Sequence, residues 1–454
     1  MTVRLEKNQL VRAVIEGYTS QGLGVTHVEG RAVFVQGAAR GDACLLRLLK
    51  APATGPLYAK IEKMETPSQA RQAIDCAAAG RCGGCDFRHL DYGEELSLKQ
   101  DRVRDALARI AGIDLNPAPI LPAPEINGYR NKALFPVRLV DGKPATGFFR
   151  SRSHELVPID NCLLQNEKAN ACAKALRTWM ARFGIPAYDE TTGEGLIRHL
   201  LIRTGAATGQ ALCCVSATRP TMPHAPALIT ALREACPGLV GVVQDVNTRR
   251  DNVALSGHQR ILWGQDRLED NLCSLRFSLT YTSFFQVNPT QAEQLYKLAA
   301  EMSHLSGREN VCELYCGAGS LTLTLARLAR RVVGVDIAER AVADARDNAR
   351  NNAITNAEFR CADAGEAAEA LRNEGNRPDL LLVDPPRKGL DEPVIRAISR
   401  IAPPRMIYIS CDPATLARDL RRLREDTGLR TIRCAPVDMF PRTANVECVA
   451  ELVR

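Results

Sequence analysis

The sequence predicts an α/β protein whose C-terminal part is a Rossmann-like, doubly wound and mostly parallel sheet. Three observations carry that prediction. Beyond about residue 266, apolar runs alternate with helical segments, the pattern of strands joined by crossover helices. A loop with two glycines, Cys316-Gly317-Ala318-Gly319-Ser320, stands between an apolar run and a helix start. Acidic residues then close or follow successive apolar runs, at Asp336, Asp363 and Asp384.

Two further parts precede this one. Residues 1–65 predict short strands with turn signals, for example 24–28, the turn Glu29-Gly30, then 31–35, which is the pattern of a small OB-like β-barrel. Nine Lys or Arg against six Asp or Glu make it mildly basic. Small basic barrels often hold single-stranded nucleic acid, with a purely structural barrel as the plain alternative. Residues 66–265 mix a cysteine-rich loop, a polar helix near 94–111 and a hairpin turning at Asp141-Gly142-Lys143-Pro144, so the central domain is expected to be α+β. The sheet-forming domain then occupies 266–454.

A length of 454 residues suits about three domains at roughly 150 residues each. Hydrophobic residues at 45% and charged residues at 24% are the balance of an ordinary globular chain. No apolar run reaches the roughly 20 residues of a membrane span, and Met1-Thr2-Val3-Arg4-Leu5-Glu6 has no signal-peptide core. The expectation is a cytoplasmic protein with no membrane partner and no obligate protein partner. A net charge of +7 gives modest support for a nucleic-acid partner. Most of the 16 cysteines are scattered singly and are expected to be free thiols. Cys76, Cys82 and Cys85 form a cluster, and Cys411 stands alone in an unusual loop.

The glycine loop lets backbone approach a ligand, and the following helix start offers free N–H donors. Asp336 closes the next strand, where a carboxylate can accept ribose hydroxyls. Together they call for an adenosine-bearing cofactor. Thr322 stands where a dinucleotide fingerprint has its third glycine, which tilts the choice from NAD toward S-adenosylmethionine. Asp363 is a candidate for the adenine amine, and Asp384, in Asp384-Pro385-Pro386, for the place where cofactor and target meet. Surface acids ending strands are the plain alternative for both.

Cys411 follows the run Met406-Ile407-Tyr408-Ile409 and precedes a helix start, on the same sheet edge as Asp384. A helix dipole there is expected to favour the thiolate, the nucleophilic form. Carbon 5 of uracil is too poor a nucleophile to take a methyl group unaided, whereas thiolate addition at carbon 6 activates it. A base must then remove the carbon-5 hydrogen. Glu447, at the start of an apolar strand, is the candidate.

At these residues the chain resembles the RNA (uracil-5-)-methyltransferase family, especially its 23S ribosomal RNA members with an N-terminal TRAM domain and an iron–sulfur cluster. The resemblance rests on Phe284-Phe285-Gln286-Val287-Asn288, Tyr315-Cys316-Gly317-Ala318-Gly319, Asp384-Pro385-Pro386-Arg387-Lys388-Gly389, Ser410-Cys411-Asp412-Pro413 and Phe440-Pro441-Arg442-Thr443 with Val446-Glu447. It implies Cys411 as nucleophile and Glu447 as base, with Gln286, Tyr315, Gly317, Gly319, Asp336, Asp384 and, less firmly, Asp363 around cofactor and base. Ser320 departs from the asparagine of some members, which leaves only backbone contact there. The substrate implied is looped or single-stranded RNA, ribosomal rather than transfer RNA, because the base must leave its stack. Tyr129-Arg130-Asn131-Lys132 also resembles the family and is a candidate RNA contact, against a solvated turn.

Cys76, Cys82, Cys85 and the distant Cys162 supply four candidate thiolates. Spacing alone leaves tetrahedral zinc and an iron–sulfur cluster equal. The resemblance favours a 4Fe-4S cluster. Among other classes, amino-group methyltransferases of adenine or cytosine share Asp-Pro-Pro but usually follow it with an aromatic, where this chain has Arg387. DNA cytosine carbon-5 enzymes usually place proline before the cysteine, where this chain has Ser410. A non-catalytic RNA-binding module would have no need of Cys411 and Glu447.

Overall fold

The structure, a computed structural model, describes residues 5–375 and 377–454. Residues 1–4, part of the start on which no leader was read, lie outside them. Three main sheets follow one another along the chain. The first has six strands between Leu10–Val14 and Leu57–Thr66, with sequential strands ordered 1-5-6-4-3-2. Burial alternates along Ala43–Lys50, the period of a strand with one face inward, and Val33, Val35, Leu46 and Leu48 fill its core.

The second sheet has seven strands between Lys132–Val140 and Gln259–Gly264. Its strands Ile197–Thr204 and Ala211–Ala217 are buried along their whole length. The expected hairpin is present, Val140 pairing with Lys143. The polar helix expected near 94–111 runs from Tyr92 to Ala106, capped by Asp91, and continues as a π turn over Leu107–Ala111 that ends at Gly112 with φ 62°.

The third sheet is the expected doubly wound one. Its strands are β1 (Asn310–Leu314), β2 (Arg331–Asp336), β3 (Ala357–Cys361), β4 (Leu380–Val383), β5 (Arg405–Ser410), β6 (Arg430–Val437) and β7 (Glu447–Val453), in the order β3-β2-β1-β4-β5-β7-β6. β1 to β5 are parallel, while β7 runs antiparallel between β5 and β6. The order reverses between β1 and β4, where an open α/β sheet leaves a crevice at its carboxyl edge. A single apolar core joins Leu201 and Val243 of the second sheet to Leu382 and Ile407 of the third. The central and C-terminal sheets therefore hold one another rigidly. No helix among the described residues is long and apolar enough to cross a membrane.

A buried charge cluster ties the helix Tyr92–Ala106 to the segment leading into β7. Lys99 donates to Glu95 at 2.7 Å and to Asp438 at 2.6 Å, all three side chains fully buried. Tyr92 donates to the other Asp438 oxygen at 2.7 Å. The Arg442 backbone N–H donates to Glu95 at 2.7 Å while its guanidinium bonds the Leu90 carbonyl at 2.9 Å. Removing one partner of a buried pair leaves a naked charge, so Lys99→Met is expected to cost about 3–5 kcal/mol in urea unfolding. A loss below about 1 kcal/mol would show that the cluster is not what holds this segment.

Candidate active site

The glycine loop is shaped by backbone that ordinary residues avoid. Tyr315 leaves β1 with φ 68°, and Gly317 and Gly319 have φ 54° and 81°. A Cβ on Gly319 would also lie 2.9 Å from the Phe359 ring and 3.1 Å from Ala345, so only glycine fits. Asp336 accepts from the Gly317 N–H at 2.9 Å and from Ala338 at 2.8 Å, one oxygen each. It fixes the loop and keeps lone pairs for ligand hydroxyls. Ser320 opens the helix Ser320–Ala326, its hydroxyl 2.8 Å from Tyr296 Oη. Gln286 is buried between the strand Leu275–Thr280 and the helix Pro289–Ser303, its carbonyl accepting from Asn131 Nδ2 at 2.9 Å.

Asp363 stands two residues beyond the end of β3 and caps the helix Ala364–Asn373. Its Oδ1 accepts from Gly365 at 2.8 Å and Glu366 at 3.4 Å.

The second half of the site follows from strand register. Ser410 pairs with Cys448 across β5 and β7, so the next step places Cys411 opposite Glu447. β4 runs parallel beside β5 and ends one residue before Asp384. Asp412 caps the helix Pro413–Thr427 with proline at its first position, which stops β5 and turns the chain at Cys411. Arg102 donates to Asp412 at 3.1 Å and to the Ala444 carbonyl, bracing both sides of the pair.

The charges around Cys411 correct the expected dipole-stabilised thiolate. Burial pushes the thiol up to about 11, and Glu447 and Asp384 add to the rise. The positive charge of nearby Arg387 opposes it. Burial also raises Asp384 to about 7 and holds the Glu447 carboxyl well above the usual range, with Asp384 raising it further. Three groups whose negative forms burial disfavours thus lie near one cation. Tyr296, bonded to Ser320 and near Asp384, connects this half to the glycine loop.

Sequence reading passed over four residues here. Arg387 appeared within a family motif and as a departure from another family, with no role given to it. Glu313 is buried in β1, bonded by Thr322, and pushed to about 8 chiefly by burial. Phe284 and Ile337 are large apolar side chains 67% and 73% exposed beside the glycine loop. An apolar residue directly after the acid that ends β2 was the available signal for Ile337.

Tyr129-Arg130-Asn131 is neither a solvated turn nor an open contact surface. Tyr129 and Asn131 are buried; Tyr129 donates to the Pro441 carbonyl at 3.0 Å, and the Asn131 N–H donates to Val287 at 2.9 Å. The segment ties the Gln286 loop to the approach to β7.

Cys76, Cys82, Cys85 and Cys162 line one small cavity of about 40 Å³, partly open to solvent. Among the described residues no three His, Cys, Asp or Glu side chains converge closely enough for a single metal ion. Burial raises the Cys85 thiol to about 11 and lifts Cys82 and Cys162.

Because thiolate is the reactive form, alkylation of Cys411 by iodoacetamide is expected to quicken about tenfold per pH unit from 7 to 10. Glu447→Gln removes a carboxyl whose ionised form raises the thiol and should speed the reaction at high pH, whereas Arg387→Gln should slow it. Mass spectrometry of the Cys411 peptide reads both, and a rate already level below pH 8 would contradict the electrostatics.

Comparison with known proteins follows this geometry. The family model described as tRNA (Uracil-5-)-methyltransferase matches residues 239–454. A Clostridium tetani protein described as an uncharacterized RNA methyltransferase is 36% identical over 449 residues, 98% of this chain and 97% of that protein. A Listeria innocua protein of the same description is 37% identical over 448 residues, 99% and 98% of the two chains. Among solved structures, the Pyrococcus abyssi tRNA (uracil-54, C5)-methyltransferase in complex with S-adenosyl-L-homocysteine superposes with a TM-score of 0.78 at 25% identity, covering 98% of this chain and 100% of that one. With its reversed-order sheet, its glycine loop and relatives matching along nearly its whole length, the chain belongs to the tRNA (uracil-5-)-methyltransferase family of RNA methyltransferases.

Proposed function

We propose that the protein methylates carbon 5 of a uridine in RNA, with S-adenosylmethionine as donor. The observation that supports this best is the register that sets Cys411 opposite Glu447, beside Asp384 and Arg387. S-adenosylmethionine supplies a methyl group on an electrophilic sulfonium. Gly317, Gly319 and Ser320 would present backbone to it, Asp336 would accept its ribose hydroxyls, and Asp363 Oδ2 its adenine amine. Phe284 and Ile337 would cover its apolar faces, with Gln286, Tyr315 and Asp384 near the transferring carbon.

Cys411 releases its proton to solvent and its sulfur bonds to carbon 6 of the uracil; the carbon 5–carbon 6 π pair moves into an enolate, whose carbon 5 is nucleophilic toward the methyl group. Arg387 compensates the negative charge on the sulfur before it adds. Glu447 takes the hydrogen from carbon 5; the carbon 6–sulfur bond then breaks and returns the pair of electrons to Cys411. A carboxylate held dry beside Asp384 is a stronger base than one in water, which suits that step.

For the cysteine cavity we favour a 4Fe-4S cluster over zinc. Zinc needs four sulfurs at about 2.3 Å from one point, whereas these thiols surround a space. Cys76, Cys82, Cys85 and Cys162 would hold the cluster, which would serve as a cross-link between loops.

For substrate, a basic N-terminal sheet resembling a TRAM unit together with these cysteines favours 23S ribosomal RNA. Transfer RNA is the second reading, favoured by the likeness to the Pyrococcus enzyme. Protein with either RNA and labelled donor, followed by nucleoside mapping, separates the two.

RNA carrying 5-fluorouridine at the target is expected to form a heat-stable adduct, because fluorine does not leave as a proton does. Cys411→Ala should abolish both adduct and turnover. Glu447→Gln should form the adduct but release product at least about a hundredfold more slowly; rapid release would remove Glu447 from that role, and an active enzyme without adduct would remove covalent catalysis.

A further inference from the structure

Two arginines share the cysteine cavity. Arg88 lines it and is 97% removed from solvent, with only 3% exposure. Its Nη1 is fixed by Asp75 at 3.0 Å and Asn127 at 2.7 Å. Its Nε is buried and has no partner. Its guanidinium lies against the Cys85 thiol. Arg130 lines the same cavity, its Nε likewise buried and unpartnered, with its charge close to Cys82 and Cys162. A buried N–H without an acceptor costs about 1–3 kcal/mol, more on a charged group. Two arginines with such donors line one cavity that four cysteines also line, and an acceptor held by those cysteines would lie within their reach.

Neutral thiols are poor acceptors, so four protonated cysteines would leave the Nε–H groups of both arginines unsatisfied. A 4Fe-4S core with four thiolates is a dianion whose sulfurs accept hydrogen bonds, and its potential depends on that charge and those bonds. Two guanidiniums balance it. Among the described residues, the carboxylate bonded to Arg88 is Asp75, which is 41% exposed and takes Nη1.

We propose that Arg88 and Arg130 are the charge-balancing donors to the sulfurs of the group held by Cys76, Cys82, Cys85 and Cys162. This rests on the cluster reading above. The arginines bind no iron; they lower the free energy of the more negative cluster state and slow its loss.

Anaerobically purified wild type, Arg88→Met, Arg130→Met and Arg88→Lys would be analysed for iron and sulfide, titrated to the reduction potential, and followed as a chelator removes iron. The methionine variants are expected to shift the potential negative and release iron about tenfold faster, the scale of outer-shell losses at metal sites. Arg88→Lys, which keeps charge without the fork, should lie between. Equal potential and equal iron release in wild type and both methionine variants would overturn the role of the arginines. Wild type without iron and sulfide would instead overturn the cluster itself. Should Arg88→Met fail to fold, Arg130→Met decides.

Discussion

Lys99, fully enclosed between Glu95 and Asp438, is the contact on which the reactive edge depends. A buried ion pair adds little net stability over an apolar filling, but it tolerates only one arrangement. Here that arrangement sets the height of the segment entering β7. Tyr92, Arg442 and the carbonyl of Phe440 complete the polar shell, so that the charges are satisfied only when the segment lies in one place. Glu447 follows nine residues after Asp438, and its position opposite Cys411 is inherited from that placement.

The edge so built is electrostatically reluctant. Burial and clustered carboxyls discourage ionisation of Cys411, and one arginine works against them. Under the proposed chemistry this reluctance has a use. A free thiolate beside a sulfonium would risk capturing the methyl group itself, whereas a neutral thiol does not. Arg387, exposed at the same edge, supplies the positive charge that works toward ionisation of the sulfur.

Much of this was legible along the chain. The strands ending in acids, the glycine loop and the cysteine before a capped helix are local patterns, and each lies within a residue or two of where it was expected. Asp363 shows the limit of such reading, since a carboxylate just past a strand is also what a helix start requires, and the structure gives it that duty. What lay beyond reach were the long-range ties. Lys99 and Asp438 are 339 positions apart, and nothing in a run such as Glu95 to Lys99 distinguishes a solvated helix pair from one sealed under another sheet. Tyr129 and Asn131 looked like recognition residues because aromatic and polar side chains suit RNA; they turned inward because two loop carbonyls needed donors.

Asp86 follows Cys85 directly, and its backbone N–H and carboxylate hold the Arg442 carbonyl and the Ala444 N–H at 2.8 Å. This has a bearing on biosynthesis. The ribosome delivers residues in order, so the early helix and the cysteine segment emerge with their acceptors still hundreds of residues away. Until the last strands arrive, Lys99 lacks its second carboxylate, so the polar shell around it is complete only once the whole chain has been delivered.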